Sequence, residues 1–313
     1  MATYTVLTPE LVEQIISSYP VGRVRGFHPL EGGLANSSIK VDTATGVYVL
    51  SVCDEKDFAE INRLCSILSC LEAAGFPATK VIAAEDGRLY LDHDGKPVYL
   101  KQYIPGQVVN QLDRQQLFQV GAALAQLHAL RPPASLERRF SYGVESFAEL
   151  EGIAGDDEYL SWLSRRRHHI AEICDDALPK GFIHGDLFYD NLLFAGGTLV
   201  ALLDFEEACE YFLVFDIGMA AAGCCIAADR FSLELTGSLV AGYQRVRELE
   251  ALERELLQRH IEYAAAATSF WRYRQYNLRN PDARMKHHYR AMHDLACQIA
   301  AIEPARFISV VFG

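Results

Sequence analysis

The hydrophobic period of this chain changes once, at Pro105-Gly106, and that change limits the fold more than any other feature. On the N-terminal side the pattern is mainly one of strands. Thr8 and Pro9 cap and start a short first helix, with Leu11, Val12, Ile15 and Ile16 following at helical spacing. Extended stretches follow over 22–52, with Thr45-Gly46 as the turn into Val47-Tyr48-Val49-Leu50-Ser51-Val52, a run rich in β-branched and aromatic residues. One helix is predicted from Asp57 to Ala74, stopped by Gly75 and Pro77. Two more strands, near Leu89-Tyr90-Leu91 and from Val98 to Tyr103, are joined by a hairpin turn at His93-Asp94-Gly95-Lys96. On the C-terminal side Leu117, Val120, Leu124, Leu127 and Leu130 recur every three or four residues. Further helices are predicted near 145–177, 213–228, 231–246, 250–279 and 284–302, while 182–205 keeps short apolar runs broken by turns. The expectation is an α+β chain with a small antiparallel-sheet N-lobe of five strands and one helix over 1–103, and a mainly helical C-lobe over 104–313.

Composition bears on partners. A chain of 313 residues with a formal charge of −12 lacks the basic surplus of a general nucleic-acid binder. The eight cysteines show no C-x-x-C pair and no zinc spacing, which predicts reduced, mostly buried thiols and a cytoplasmic setting. The first residues carry acidic groups and no long apolar run, and nowhere do eighteen apolar residues follow one another, so neither a signal peptide nor a membrane helix is expected. A monomer and a homodimer fit the sequence equally.

The chemistry is concentrated in His184-Gly185-Asp186-Leu187-Phe188-Tyr189-Asp190-Asn191 and in Leu202-Leu203-Asp204-Phe205-Glu206. Asp186 and Asn191 stand five residues apart, the spacing of the kinase catalytic loop H-x-D-x-x-x-x-N. Between Asn191 and Asp204, two short apolar runs flank Ala195-Gly196-Gly197, a hairpin turn that brings both residues to one end. Two oxygen donors there suit a hard Mg2+ ion bridging phosphates. Phosphoryl transfer needs little else from a protein: Asp186 as base beside the attacking hydroxyl, Asn191 and Asp204 as metal ligands, and His184 to hold the loop. Asp216 either accepts N–H bonds from this loop or caps a helix.

These motifs resemble the signature of the aminoglycoside phosphotransferase and choline kinase superfamily. HGDLFYDNLLF with LLDFEEACEYFLVFDIGMAAAGCC is most similar to the bacterial type II homoserine kinases within it. The resemblance implies a two-lobed protein-kinase-like fold and ATP as co-substrate with Mg2+. It makes Asp186 the base and Asn191 and Asp204 the metal ligands. It places the nucleotide-covering loop at Glu31 to Ser38, with Gly32 and Gly33 letting it approach the phosphates and Asn36 and Ser37 as nucleotide-binding residues at its end, and adenine against the backbone of Gln102, Tyr103 and Ile104. The implied acceptor is a small-molecule alcohol, homoserine first. Choline or ethanolamine, an aminoglycoside and a sugar are the alternatives.

Two departures stand out. Ser51 occupies the third-strand position of the usual kinase lysine, which leaves Glu60 without its partner and Lys40 or Lys56 as substitutes, and which keeps a nucleotide-binding pseudokinase or regulatory module as a reading of another class. Glu206 and Glu207 stand where the homoserine kinases tend to carry aromatic residues; they either recognise a substrate ammonium or begin a helix. On the acceptor side, Ser269 to Asn277 is the richest polar-aromatic stretch. Arg274, with Trp271 or Tyr276 nearby, is expected either to bind an acceptor carboxylate or to snorkel from an amphipathic helix. Lys286-His287-His288 reads as a solvated face.

Overall fold

The computed structural model describes residues 5–30 and 36–313. The chain divides into two compact units. The first comprises Met1–Gly106 with Pro133–Ser135 and Val200–Leu203; the second holds the remainder.

In the first unit, helix α1 (Pro9–Ile16) begins where the Thr8 hydroxyl accepts the Leu11 N–H. Strands β1 (Val24–Pro29), β2 (Asn36–Thr43) and β3 (Val47–Cys53) run antiparallel, and helix α2 (Phe58–Ala73) follows. Then come β4 (Val81–Ile82), β5 (Leu91–His93) and β6 (Lys96–Gln102). The sheet order is β1-β2-β3-β6-β4 with β5 also on β6, six strands where five were expected. The extra strand β4 is two residues long and carries no alternation a sequence window can register. Ile39, Val41, Leu50, Val52, Val98 and Leu100 turn to one face, where Val12, Ile15 and Ile16 of α1 join them in a buried core. The residues between them take the other face, because successive strand side chains alternate. Ser51, paired with Tyr99 and Ser38, therefore points away from that core.

The second unit starts with α3 (Arg114–His128). The helix expected over 145–177 is broken into a 3-10 turn (Val144–Leu150) and α4 (Asp157–Ala171), because Gly152, at φ +75°, and Gly155 interrupt it. Strand β7 (Lys180–Ile183) pairs with β10 (Cys209–Phe212), and between them β8 (Leu192–Ala195) and β9 (Thr198–Leu202) form a hairpin turned at Gly196-Gly197. Helix α5 (Leu213–Cys224) is buried on every side. A two-residue ribbon, β11 (Ile226–Ala227) with β12 (Arg230–Phe231), leads into α6 (Leu233–Gln244). The 23-residue α7 (Ala251–Tyr273) runs on into a π-helical turn over Arg274–Arg279, and α8 (Tyr289–Ala300) and α9 (Pro304–Val311) close the chain. Contacts of α5 with α7, α7 with α8, and α3 with α6 make up most of this unit's packing.

All eight cysteines are free thiols, five of them buried. Among the described residues no helix is long and apolar enough to cross a membrane.

Candidate active site

The paired strands β7 and β10 end and begin at the same place, Ile183 opposite Cys209, and the loop 184–191 departs from there. Its backbone is fixed from behind. Both Asp216 oxygens are turned into the loop: Oδ2 accepts the His184 N–H at 2.8 Å and Oδ1 the Gly185 N–H at 2.9 Å. Asp216 lies in the first turn of α5, whose N-cap is Phe212, so of the two expected roles the structure assigns it the loop anchor. Burial alone would raise its carboxyl, but hydrogen bonding and charge from His128, with His184 and the Gly185 N–H, hold it below the usual carboxylate range. The His128 ring links Asp216 Oδ2, 3.0 Å from Nε2, to the Tyr243 hydroxyl, 2.7 Å from Nδ1.

Gly185 is required here. Its φ is +83°, and a Cβ would lie 2.7 Å from the Glu207 carbonyl oxygen. His184 is fully buried against Phe205, rings 4.6 Å apart, and its Nδ1 accepts the Asp186 N–H at 3.3 Å. The histidine thus serves the loop backbone.

Asp186 is held by two short links. The Tyr142 hydroxyl donates to its Oδ1 at 3.2 Å, and the Asn191 amide donates to its backbone carbonyl at 2.8 Å. Burial first, and then the charges of Asp204, Glu207 and Asp190, push the Asp186 carboxyl up to about 8, against the hydrogen bond from Tyr142. Tyr142 is itself raised well above an ordinary phenol by burial and by the charges of Asp186 and Glu207, so it stays a donor. The β8–β9 hairpin leaves from Asn191 and returns to Asp204, which is exposed and holds the left-handed backbone at φ +58°. Aspartate tolerates that conformation better than most residues, and such strain is common where a side chain must be aimed. The Asn191 amide nitrogen is engaged with Asp186, which leaves its oxygen as the atom offered to a metal. One amide oxygen and one carboxylate, with the Asp186 and Glu207 carboxyl groups nearby, form a hard, oxygen-rich donor set that fits Mg2+ completed by phosphates and water.

Glu206 and Glu207 occupy the turn ahead of β10 and start no helix; the Ser141 hydroxyl donates to Glu207 Oε2. Trp271 stands 6.4 Å from the Tyr142 ring and Tyr276 stands 6.0 Å from Trp271, so both join the Asp186 neighbourhood. Arg274 is otherwise engaged. It is buried, bonds both oxygens of Glu149 at 3.1 and 3.2 Å, and stacks on Phe270. The guanidinium that reaches the catalytic loop belongs to Arg272, 6.0 Å from the Phe188 ring centre. Burial lowers its pKa while the charges of Asp186, Tyr276, Asp190 and Tyr142 oppose the shift. Sequence reasoning missed Arg272 because both arginines sit in one polar-aromatic stretch, and what separates them is Glu149, 125 residues away from Arg274.

In the first unit, Gly32 and Gly33 lie outside the described residues, and of Asn36 the backbone alone is described, at the start of β2. Ser37 is tied through N–H and hydroxyl to Asp54, at 3.2 and 2.7 Å, and Lys96 bonds the same carboxylate at 2.6 Å. The N–H groups of Gln102 and Tyr103 bond Lys80 and Val47, whereas the Ile104 N–H enters no hydrogen bond among the described residues. At the lysine position Ser51 is fully buried and shares a hydrogen bond of 2.8 Å with Ser38. Glu60 closes the α2 capping box, accepting the Asp57 N–H at 2.8 Å, and so has a role without a lysine. Lys40, on the Ser51 face of the sheet, lies 4.7 Å over the Tyr103 ring.

Comparison with known proteins agrees with this geometry. Residues 26–256 match the model of the phosphotransferase enzyme family. Homoserine kinase of Gluconacetobacter diazotrophicus is 29% identical over 293 residues, 90% of this chain and 91% of that protein. Homoserine kinase of Chelativorans sp. strain BNC1 is 30% identical over 82% of each. Amicoumacin kinase hAmiN, solved with AMP-PNP, Ca2+ and Ami, superimposes with a TM-score of 0.74 at 14% identity, over 96% of this chain and 97% of that one. The fold is the protein-kinase-like one expected from the sequence.

Proposed function

The chain belongs to the phosphotransferase enzyme family, and from that premise we propose that it is a homoserine kinase, moving the γ-phosphoryl group of ATP to the side-chain hydroxyl of homoserine. The observation that carries the reaction is the Asp186 carboxylate, held by Tyr142 above a loop that Asp216 anchors, at the mouth of the hairpin bearing Asn191 and Asp204. The likeness to curated homoserine kinases over about nine-tenths of the chain favours this acceptor.

Asp186 orients the acceptor hydroxyl and, in its ionised form, takes its proton as the new O–P bond forms and the bond to ADP breaks, so no covalent enzyme intermediate is needed. Asn191 Oδ1 and the Asp204 carboxylate would hold Mg2+, which supplies neutralisation of the charge on the phosphoryl oxygens. Tyr142 and Asn191 fix both ends of the base, so its carboxylate is in place before substrate arrives. Glu207, steadied by Ser141, and its neighbour Glu206 offer carboxylates to the acceptor ammonium. At the nucleotide end the Ile104 N–H is the hinge donor open to adenine, and Lys40 stands in for the missing lysine on the sheet face of Ser51.

The test is coupled ADP release with Mg·ATP against homoserine, choline, ethanolamine and an aminoglycoside, with Asp204→Ala as blank. Turnover with homoserine that vanishes in the blank supports the reading. Turnover with another acceptor moves the substrate and keeps the reaction. ATP binding with no turnover for any acceptor would favour a pseudokinase.

A further inference from the structure

Among the described residues near the base, Arg272 is a guanidinium with no carboxylate within ion-pair distance. It is half-buried at the C-terminal end of α7, where desolvation disfavours the cation and the charges of Asp186 and Asp190, beyond ion-pair distance, offset part of that cost. Yet among the described residues it forms no ion pair within 4 Å. Its neighbour Arg274 bonds both Glu149 oxygens, and Arg279 reaches the same carboxylate at 3.5 Å. Phe188, over which Arg272 lies, is two residues beyond Asp186 and is itself pinned, because Gly223 passes so close that a Cβ there would meet the ring at 2.7 Å. Trp271 brings aromatic surface beside the Tyr142 that holds the base, and Tyr276 lies beside Trp271. A planar cation kept in a partly dry, ring-lined setting is preorganised for a planar anion that it can grip with two N–H groups.

We propose that Arg272 is the specificity-determining residue of the acceptor site, binding the acceptor's α-carboxylate while Asp186 faces its hydroxyl. This rests on the reading of the acceptor as homoserine, in which three carbons separate those two groups. With the ammonium toward Glu207, each charged group of the amino acid meets an opposite charge. An amino alcohol lacking the carboxylate forgoes this pairing, so the site favours homoserine through the carboxylate contact more than through shape.

The experiment compares homoserine with 3-amino-1-propanol, which is homoserine without its carboxylate, in wild type, Arg272→Gln and Arg272→Lys at saturating Mg·ATP. Where turnover of the amino alcohol is slow, its inhibition constant replaces KM. Arg272→Gln should raise the homoserine KM on the order of a hundredfold. It should leave the constants for 3-amino-1-propanol and ATP within about twofold. Arg272→Lys, which keeps the charge and loses the fork, should fall between, and it decides the matter if the glutamine variant melts early. An unchanged homoserine KM overturns the proposal. So does an equal loss with both acceptors, the mark of a counter-charge to Asp186 and Asp190, or a raised ATP KM, the mark of a phosphate ligand. Wild type silent on homoserine removes the acceptor reading together with this inference; wild type active and Arg272→Gln unaffected removes the inference alone.

Discussion

At Asp216 an amide would have the wrong polarity on one side. The two backbone N–H groups of His184 and Gly185 and the His128 ring together use both carboxylate oxygens, and an asparagine would turn its NH2 against one of these partners. Asp216→Asn should therefore cost roughly 3 kcal/mol of stability. It should also lower kcat by at least about tenfold, because the loop carrying the base loses its anchor. Urea denaturation and steady-state kinetics check both, and an unshifted midpoint would show that the loop is held some other way. Asp186→Asn keeps the shape and removes the proposed base, so kcat should fall by about 10²–10⁴-fold with the melting temperature not lowered. Near-normal turnover would take the base role away from Asp186. The candidate residues Asp186, Asn191 and Asp204 could be picked out of the sequence because they sit within nineteen residues on one loop and one hairpin. The anchor was half legible: Asp216 stood out, but its partners His128 and Tyr243 stand 88 and 115 residues apart along the chain from the groups they bond. A buried histidine on an apolar helix face carries no local mark of such a partner.

Helices α3 and α6 meet backbone to backbone, and glycine allows it. A Cβ on Gly121 would fall 1.9 Å from the Leu239 carbonyl oxygen, and one on Gly242 would fall 1.9 Å from the Phe118 carbonyl oxygen. Both obstacles are main chain and cannot rotate away. Gly121→Ala should thus cost about 3 kcal/mol or more through forced separation of the helices, although alanine favours an isolated helix. Chemical denaturation reads this directly, and a stability equal to wild type would mean that the two helices can slide at no cost. The same helix also positions the site, since His128, its last residue, bonds Asp216. Elements bounded by local chemistry were readable: Thr8 before α1, Asp94-Gly95 between β5 and β6, and Gly196-Gly197 between β8 and β9. Elements defined by distant pairing were not. The β7–β10 ladder joins residues 180–183 to 209–212 with a catalytic loop between them, and neither run alternates strongly enough to announce a strand. The π-helical turn after α7 escaped notice for a related reason, because it continues a helical pattern and changes only which side each residue faces.

Acid stability of the whole molecule is set by groups working in opposite directions. His260 is fully buried on α7 between the Phe212 and Tyr263 rings, its Nδ1 donating to the Leu256 carbonyl at 3.0 Å and its Nε2 without a partner among the described residues. Burial, with Arg259 adding to it, lowers its pKa from 6.5 to about 4 despite the Leu256 bond. The folded state therefore keeps this ring neutral where the unfolded chain would protonate it. The unfolded chain binds the extra proton between about 6.5 and about 4, so stability from His260 is complete above that interval and is lost as pH falls through it. The full loss is about 3 kcal/mol. Asp186, raised to about 8, acts with the other sign, since a carboxyl protonated in the folded state gives stability that is present at low pH and lost as pH rises. Asp156, lowered to about 2 mainly by the Tyr289 hydroxyl, contributes below this interval, losing its share as pH falls from the ordinary carboxylate value toward 2. A single profile mixes these contributions, and the separation comes from a difference. Wild type and His260→Gln, melted from pH 7.5 to 4, should diverge in slope, with wild type losing stability relative to the variant as the pH drops below about 6.5. The variant will be less stable throughout because the ring's packing is gone, so the offset carries no weight and the slope decides. Parallel profiles would show that His260 takes up its proton without unfolding, and that the α5–α7 contact beside it is looser than the burial of its ring implies.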